Sequence, residues 1–574
     1  MAISYNPVAP GADGLLWVAR PAMALMAAAA LLVALCGGSA NLSLFYLARQ
    51  DLWLLAAAIL SLLFCIRRLG SAGHLPAMPR HRALLLGAGL ALAAYAGHYL
   101  ILSGYDLSRD EQMANFDAAI FARGELVAPL AGIWRDHADA LNTMFMYPTG
   151  QSAAWVSAYL PLNAVLRALF ALAGDAALTG PAMTGLGALA LWGCARRIWP
   201  DHREAPTVAV LLYLGSGQVL FNGMTAYAMP AHLALNLCWL WFFLRRTIWA
   251  DVAALSVGFV AVGLHQPIMH PMFAAPILFL LVLERDWRRA AFYLVGYAAI
   301  GAFWAWWPGF IWTLVEASPL APRADGVDFW TRLLLAIEKS DTLRFANMGA
   351  NLLRFAAWQH LLLLPLLLLG LRAVRRDRLA AALAGGIGLT LAVMAVILPY
   401  QGHGFGYRYL HGLIGNAILL AVFGWVALGE RLAPWRPLLM RSTIAGLLVL
   451  LPIQAWMAHG FYAPFAKASA RIDASNADYV VVGGSDAPFA ADLVINPPFL
   501  ERRPIRLLRE EIDPALIGSL CTSSVRVGVV DAKVLGPIAA YFDVPASAGT
   551  TAPRVLAGEW RRAGCSVSAV REAP

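Results

Sequence analysis

Thirteen stretches of this chain are mostly apolar and close to the roughly 20 residues a helix needs to cross a bilayer's hydrocarbon core. They centre on residues 16–37, 48–66, 83–103, 178–195, 206–222, 228–244, 252–266, 271–284, 290–314, 355–371, 379–400, 411–429 and 442–461. In lipid every backbone amide needs a partner within the protein, so runs of this length are read as helices. Composition agrees: 60% of the 574 residues are hydrophobic and 13% charged, and mean hydropathy is +0.64. Soluble domains run near half apolar and a quarter charged. The expected fold class is an α-helical polytopic membrane protein of about 13 transmembrane helices. Disordered, coiled-coil, collagen-like and disulfide-scaffold classes are excluded. The net charge of +9 sits in short arginine clusters between apolar spans, which marks orientation and excludes a nucleic-acid partner.

The arginine-rich connections at 67–82, 196–203, 245–246, 285–289, 372–378 and 431–441 are placed in the cytoplasm. The opposite short connections, 222–228 and 266–271, carry no arginine, and the long opposite ones are rich in acidic residues. The amino terminus is therefore expected inside and the tail from about 462 outside, in a bacterial inner membrane. The first span is read as an anchor in preference to a signal peptide cleaved near Ala40. The apolar stretch 152–174 is read as an interfacial or re-entrant helix, amphipathic around Arg167, because a fourteenth crossing would place the later arginine clusters outside. The pair at 252–284, split by Gln266, Pro267 and Pro271, predicts a broken hairpin lining a cavity.

From Ala477 the chain changes character. The runs Tyr479–Val482, Asp492–Ile495 and Val525–Val530 read as strands, alternating with helix-like Asp513–Leu520 and Leu535–Tyr541, which predicts a small periplasmic α/β domain over 462–574. Cys521 and Cys565 are the two cysteines outside the spans; whether they approach closely enough to pair is left open.

The loop after the third span carries the most chemistry. Met113, Phe116, Ile120 and Phe121 recur every three or four residues, predicting a short amphipathic surface helix that ends at Gly124. Ser108 and Glu111 have the spacing of a capping box. Neighbours on a helix diverge by about 100°, so if Glu111 folds back on the cap, Asp110 points elsewhere. An aspartate there, partly desolvated, suits a general base that takes a proton from an acceptor hydroxyl; the alternative is that it only complements the positive end of the helix dipole.

This loop, with its Asp110-Glu111 pair and the following run Trp155 to Gly174, resembles the first outer loop of the GT-C glycosyltransferases, especially the protein mannosyltransferase and aminoarabinose transferase branch. Gly263-Leu-His265-Gln-Pro267 and Tyr407-Arg408-Tyr409-Leu410-His411, the latter similar to the family's Arg-Tyr motif, extend the resemblance over 83–461. The resemblance implies a GT-C-like catalytic module at 83–461, with outer loops at 104–177 and 316–354. Two additional helices precede it within 1–82.

The resemblance also implies an inverting transfer of a sugar from a polyprenyl-phosphate donor to a periplasmic glycan, lipid or protein acceptor. Asp110 matches the base. Met113 and Tyr159-Leu160-Pro161 stand where the aminoarabinose branch has an arginine and a lysine. A leaving phosphate still requires a cation; Arg408 is the first choice, since guanidinium matches phosphate bidentately, and Arg109 the second.

His232, His265, His270, His403 and His411 cluster at outer span ends, without the spacing of a metal site. The expected site is thus Asp110 and Glu111 as catalytic acids, with Arg408, Arg109, His265, His403, Tyr409 and His411 binding substrate. No metal or cofactor is expected; the partners are the lipid-linked donor, the acceptor and membrane lipids. The rivals are a transporter or lipid flippase, which pairs charges deep within spans and has two related halves, and a polysaccharide polymerase or ligase with arginine-rich outer loops.

Overall fold

A computed structural model describes residues 12–36, 41–67, 73–147, 152–315, 343–521, 524–544 and 551–571. Helix occupies every one of the thirteen windows. Seven helices among the described residues are long and apolar enough to cross a membrane. An eighth candidate is the pair Ala205–Leu214 and Gly217–Gly223, bent by 58°. The bend has a packing cause. A Cβ at Gly215 would lie 2.3 Å from the His360 ring, and one at Gly217 would lie 2.1 Å from Gln454 Oε1. Three windows hold helices of only 15 residues, Met229–Phe243, Ile248–Val262 and Met269–Leu283, each about 22 Å long at 1.5 Å per residue. Length alone therefore qualifies seven or eight crossings, fewer than the thirteen expected.

Small residues bring the bundle together, as packing between apolar helices requires. Helices Leu363–Gly370 and Ile414–Ala427 touch backbone to backbone: a Cβ on Gly424 would sit 2.2 Å from the Leu366 carbonyl oxygen, and one on Gly370 1.8 Å from that of Leu420. Gly424→Ala is expected to lower stability by about 1–3 kcal/mol through overpacking, read as a lower thermal unfolding midpoint in detergent. An unchanged midpoint would show that these helices separate freely.

The loop after the third span forms one end of the bundle. It holds the expected surface helix, Arg109–Phe121, and Gly124 follows in the left-handed region at φ +76°. Strand β1 (Ala128–Pro129) pairs antiparallel with β2 (Ala154–Trp155). The run 152–174 contains an 11-residue helix, Leu162–Leu172. Its Arg167 is buried and donates from Nε to Asn115 on the surface helix at 2.7 Å. Of the loop at 316–354, the run Leu343–Leu353 caps and enters helix Arg344–Ala357; the run Phe329–Ile337 lies outside the described residues.

The tail folds as a parallel sheet in the order β4-β3-β5-β6, with β3 Tyr479–Val482, β4 Ile505–Leu508, β5 Arg526–Val530 and β6 Ser566–Val570. Asp492–Ile495 is not a strand: Ala490–Leu493 is a 3-10 turn whose Asp492 carbonyl accepts from Gln112 at 2.8 Å. Strand Ile505–Leu508 takes the place beside β3 instead.

Alternation sends the two faces of the sheet to different neighbours. Tyr479, Val481, Ile505, Leu507 and Val527 share a core with Met113, Phe116 and Trp155 of the first loop. Val480 and Val482 join the core of the bundle with Phe461 and Tyr462. Cys521 and Cys565 are bonded, their Cα atoms 5.1 Å apart. Loop and tail interlock at one end of the bundle: Arg123 pairs bidentately with Glu501 at 2.9 and 2.7 Å, and the Trp155 indole donates to the Pro498 carbonyl at 2.8 Å.

Candidate functional site

The capping box at the head of the surface helix orients the two acids. Ser108 Oγ accepts from the Glu111 amide while the Glu111 carboxyl accepts from the Ser108 amide at 3.1 Å, satisfying two free donors of the first turn. Glu111 is wholly buried and also accepts from the Tyr462 hydroxyl at 3.1 Å. Burial, reinforced by the nearby charge of Asp106, pushes its carboxyl up to about 8. It is therefore protonated at neutral pH, and Glu111→Gln is expected to retain turnover. A carboxyl with a raised folded-state pKa contributes stability that is complete below its ordinary value of 4.5 and is lost progressively as pH rises from there to about 8. The Gln variant should lack that loss across the range from about 4.5 to about 8 in a thermal melt series. Turnover abolished by Glu111→Gln would return this residue to the chemistry.

Asp110 points the other way. Its Oδ1 accepts from the Tyr159 hydroxyl at 2.5 Å and its Oδ2 from Arg408 Nη1 at 3.0 Å. The Asp110 side chain is 22% exposed and that of Arg408 4%. Burial raises the Asp110 carboxyl, but the opposing pull of Arg408, with lesser help from His265 and the Tyr159 hydrogen bond, outweighs it and holds the group below its ordinary value. The pair divides two clefts. One, of about 340 Å³, is lined by Asp110, Asp117, Ser157, Tyr159 and Asn163. The other, of about 510 Å³, is lined by Arg408, Tyr409, His232, Asn236 and Thr390. His265 and Met229 line both.

His265 sits in the break between helices Ile248–Val262 and Met269–Leu283 and stacks on Tyr159 with ring centroids 4.1 Å apart. The irregular backbone of that break is satisfied by the first loop: the Leu160 and Leu162 amides donate to the His265 and Gly263 carbonyls at 3.2 and 2.9 Å. Arg408 lies against the Tyr227 ring, 4.4 Å from its centroid. Its Nε, both ring nitrogens of His232 and the Thr390 hydroxyl are buried without a hydrogen-bond partner among the described residues. Unpaired buried donors and acceptors each cost about 1–3 kcal/mol, so this second cleft is built to receive polar groups. Asp117, pushed up to about 7 by burial, accepts from the Ser157 amide at 3.0 Å.

The structure therefore brings together Asp110, Arg408, His265 and Tyr409. It does not bring the others to them. Arg109 turns toward the tail, donating to the Asn142 carbonyl at 2.5 Å and to Gln112 at 2.9 Å, because neighbouring helix positions diverge and the cleft side belongs to Asp110. His403 bonds Tyr46 at 2.6 Å and packs its edge against Phe489. His411 is wholly buried in the turn Arg408–Leu413 and lines neither cleft. Tyr227, Asn236 and Thr390 carried no periodic or motif signal, Tyr159 stood only as part of the run compared with the family's first outer loop, and His232 stood only among the span-end histidines.

No protein-family model and no curated protein sequence matches the chain. Among solved structures, ArnT from Cupriavidus metallidurans bound to undecaprenyl phosphate superposes with a TM-score of 0.50 at 13% identity, over 73% of this chain and 86% of that one. The apo state of ArnT from the same organism gives 0.47 at 13% identity, over 72% and 84%. The chain thus has the fold of that ArnT structure, in line with the resemblance of its first loop.

Proposed function

We propose that this protein is a membrane glycosyltransferase that moves a sugar from a polyprenyl-phosphate donor to a hydroxyl-bearing acceptor, with Asp110 as general base. The observation that carries the reading is the Asp110 carboxylate bridging Tyr159 and Arg408 between two clefts. The neighbouring ArnT structure holds undecaprenyl phosphate, and the same class of carrier suits the Arg408 side here. In the reaction the bond from the sugar's anomeric carbon to the phosphate oxygen breaks, and the phosphate keeps the electron pair. The acceptor oxygen bonds the same carbon while its proton passes to Asp110. Arg408 offsets the charge developing on the phosphate. Attack from the face opposite the leaving group inverts the centre, since among the described residues lining the clefts no second carboxylate stands free as a nucleophile: Asp117 is occupied by Ser157.

Without donor, Arg408 neutralises the base. Arrival of the phosphate gives Arg408 a competing anion and frees Asp110, so donor binding precedes activation of the acceptor. Loop and tail, interlocked at one end of the bundle, are assigned to the periplasmic side, with the amino terminus in the cytoplasm. A transporter reading gains little. The Arg289–Asp251 pair joins the first turns of two helices, and Asp51, paired with Arg354, lies in the first half of the candidate span Leu42–Arg67, so neither pair stands at mid-span.

The test is to reconstitute the purified protein in liposomes with undecaprenyl-phosphate-linked sugars and follow release of undecaprenyl phosphate together with labelled acceptor. Release above that of protein-free vesicles is expected. Transport of the intact donor without cleavage would replace this reading with the flippase one.

A further inference from the structure

The segment 399–408, which ends in Arg408, has almost no secondary structure, yet it is held by five side chains from elsewhere in the chain. The Pro399 carbonyl accepts from Asn351, that of His403 from Tyr227, that of Gly404 from Arg354, that of Phe405 from Asn222 and that of Tyr407 from Gln218, at 2.7 to 3.3 Å. Buried irregular backbone needs such partners. Three of its ties lead, directly or through one residue, to the second helical segment of the chain, outside the part that carries the family motifs. Ser43 Oγ accepts from the Gln401 amide at 2.9 Å, and Gln401 Oε1 accepts from the Arg408 amide at 2.6 Å. The Tyr46 hydroxyl bonds His403 Nδ1 at 2.6 Å.

The third tie is ionic. Asp51 accepts from Arg354 Nε at 2.9 Å and from the Trp358 indole at 2.6 Å, and Arg354 Nη2 donates to the Gly404 carbonyl at 2.7 Å. The Asp51 and Arg354 side chains are 0% and 1% exposed. Gly404 in turn is moulded to Arg408: its φ is +135°, and a Cβ there would lie 2.5 Å from Arg408 Cδ. Asp51 sits on a π-helical turn, Leu47–Asp51, that interrupts its helix. Such turns recur at functional sites.

A buried ion pair is a poor source of stability, so its presence here calls for a role in placement. We infer that Asp51, through Arg354 and Gly404, is a positioning residue for Arg408, and that the second helix belongs to the catalytic apparatus. The inference rests on the reading of Arg408 as the residue that holds the donor phosphate.

The test is a double-mutant cycle on the full-length protein in liposomes, with an undecaprenyl-phosphate-linked sugar as donor. Displacing a reacting group by about 1 Å can cost on the order of 100-fold. Asp51→Asn, which keeps an acceptor for Trp358, is therefore expected to lower kcat/KM for the donor by about 10- to 100-fold. In an Arg408→Ala background the same change should cost less than about twofold, because the residue it positions is gone. Tyr46→Phe, which removes one hydroxyl, should show a smaller loss that likewise vanishes without Arg408, and it decides the question if Asp51→Asn does not fold. Equal losses in both backgrounds would mean a structural role only. A silent Asp51→Asn beside an impaired Arg408→Ala would overturn this inference alone. A silent Arg408→Ala would overturn the reading beneath it as well.

Discussion

Replacing Asp110 by Asn is expected to lower kcat by about 10²- to 10⁴-fold, the usual contribution of a positioned general base. The amide keeps the size of the side chain and an acceptor for the Tyr159 hydroxyl, so the clefts keep their shape while the proton acceptor is lost. The same change leaves Arg408, 4% exposed, without its counter-charge. Losing one partner of a buried pair costs stability, by about 3–5 kcal/mol for fully buried cases and less here, where Asp110 is 22% exposed. A bound phosphate repairs that loss. The variant should therefore melt at a lower temperature than wild type, recover on adding undecaprenyl phosphate, and bind that lipid at least as tightly as wild type while turning over far more slowly. Turnover within a factor of two of wild type would remove Asp110 from the mechanism, and unchanged binding together with unchanged melting would remove the Arg408 competition.

Arg408→Ala is expected to lower kcat/KM for the donor by about 10²- to 10³-fold, the scale of deleting one preorganised group that stabilises developing charge. Its second consequence is a shift in pH dependence. In the wild type, burial would raise the Asp110 carboxyl, but Arg408 overrides it and holds the group low. The base is then ionised throughout the mildly acidic range. Activity needs the ionised form, so it falls as pH drops through the folded-state pKa. Removing Arg408 leaves burial opposed only by the lesser effects of His265 and the Tyr159 hydrogen bond, so the acid limb of the kcat/KM profile must move toward neutral pH. Arg408→Lys should return the limb toward acid while recovering only part of the rate, because a lysine cannot grip phosphate bidentately. An Arg408→Ala profile with its acid limb unmoved would show that the two residues do not communicate.

Much of this molecule was legible where physics is local. The helical windows follow from the run lengths of apolar residues, and all of them hold helix. The capping box at Ser108 and Glu111 follows from a three-residue spacing, and with it the divergence of Asp110 from Glu111. The break at Gln266 and Pro267 placed His265 in irregular backbone beside the clefts. The choice between Arg109 and Arg408 was not local. Arg109 is one residue from Asp110 yet faces Asn142, whereas Arg408, 298 residues away, makes the contact. Strand assignment failed at Asp492–Ile495 for a related reason: its apolar residues fit a strand, but the Asp492 carbonyl is taken by Gln112 of the first loop.

Asp51 shows the limit most sharply. Read along the chain it is one acid near the start of an apolar window; in three dimensions it meets Arg354, 303 residues on, and through it the Arg408 segment. The amino-acid order by itself determined the helical class, the surface helix, its cap and which acid is turned outward, because each depends on residues three or four positions apart. Only the packed bundle decided what Asp110 and Asp51 touch, since those partners lie from 49 to 307 residues away and are chosen by how helices and sheet close on one another.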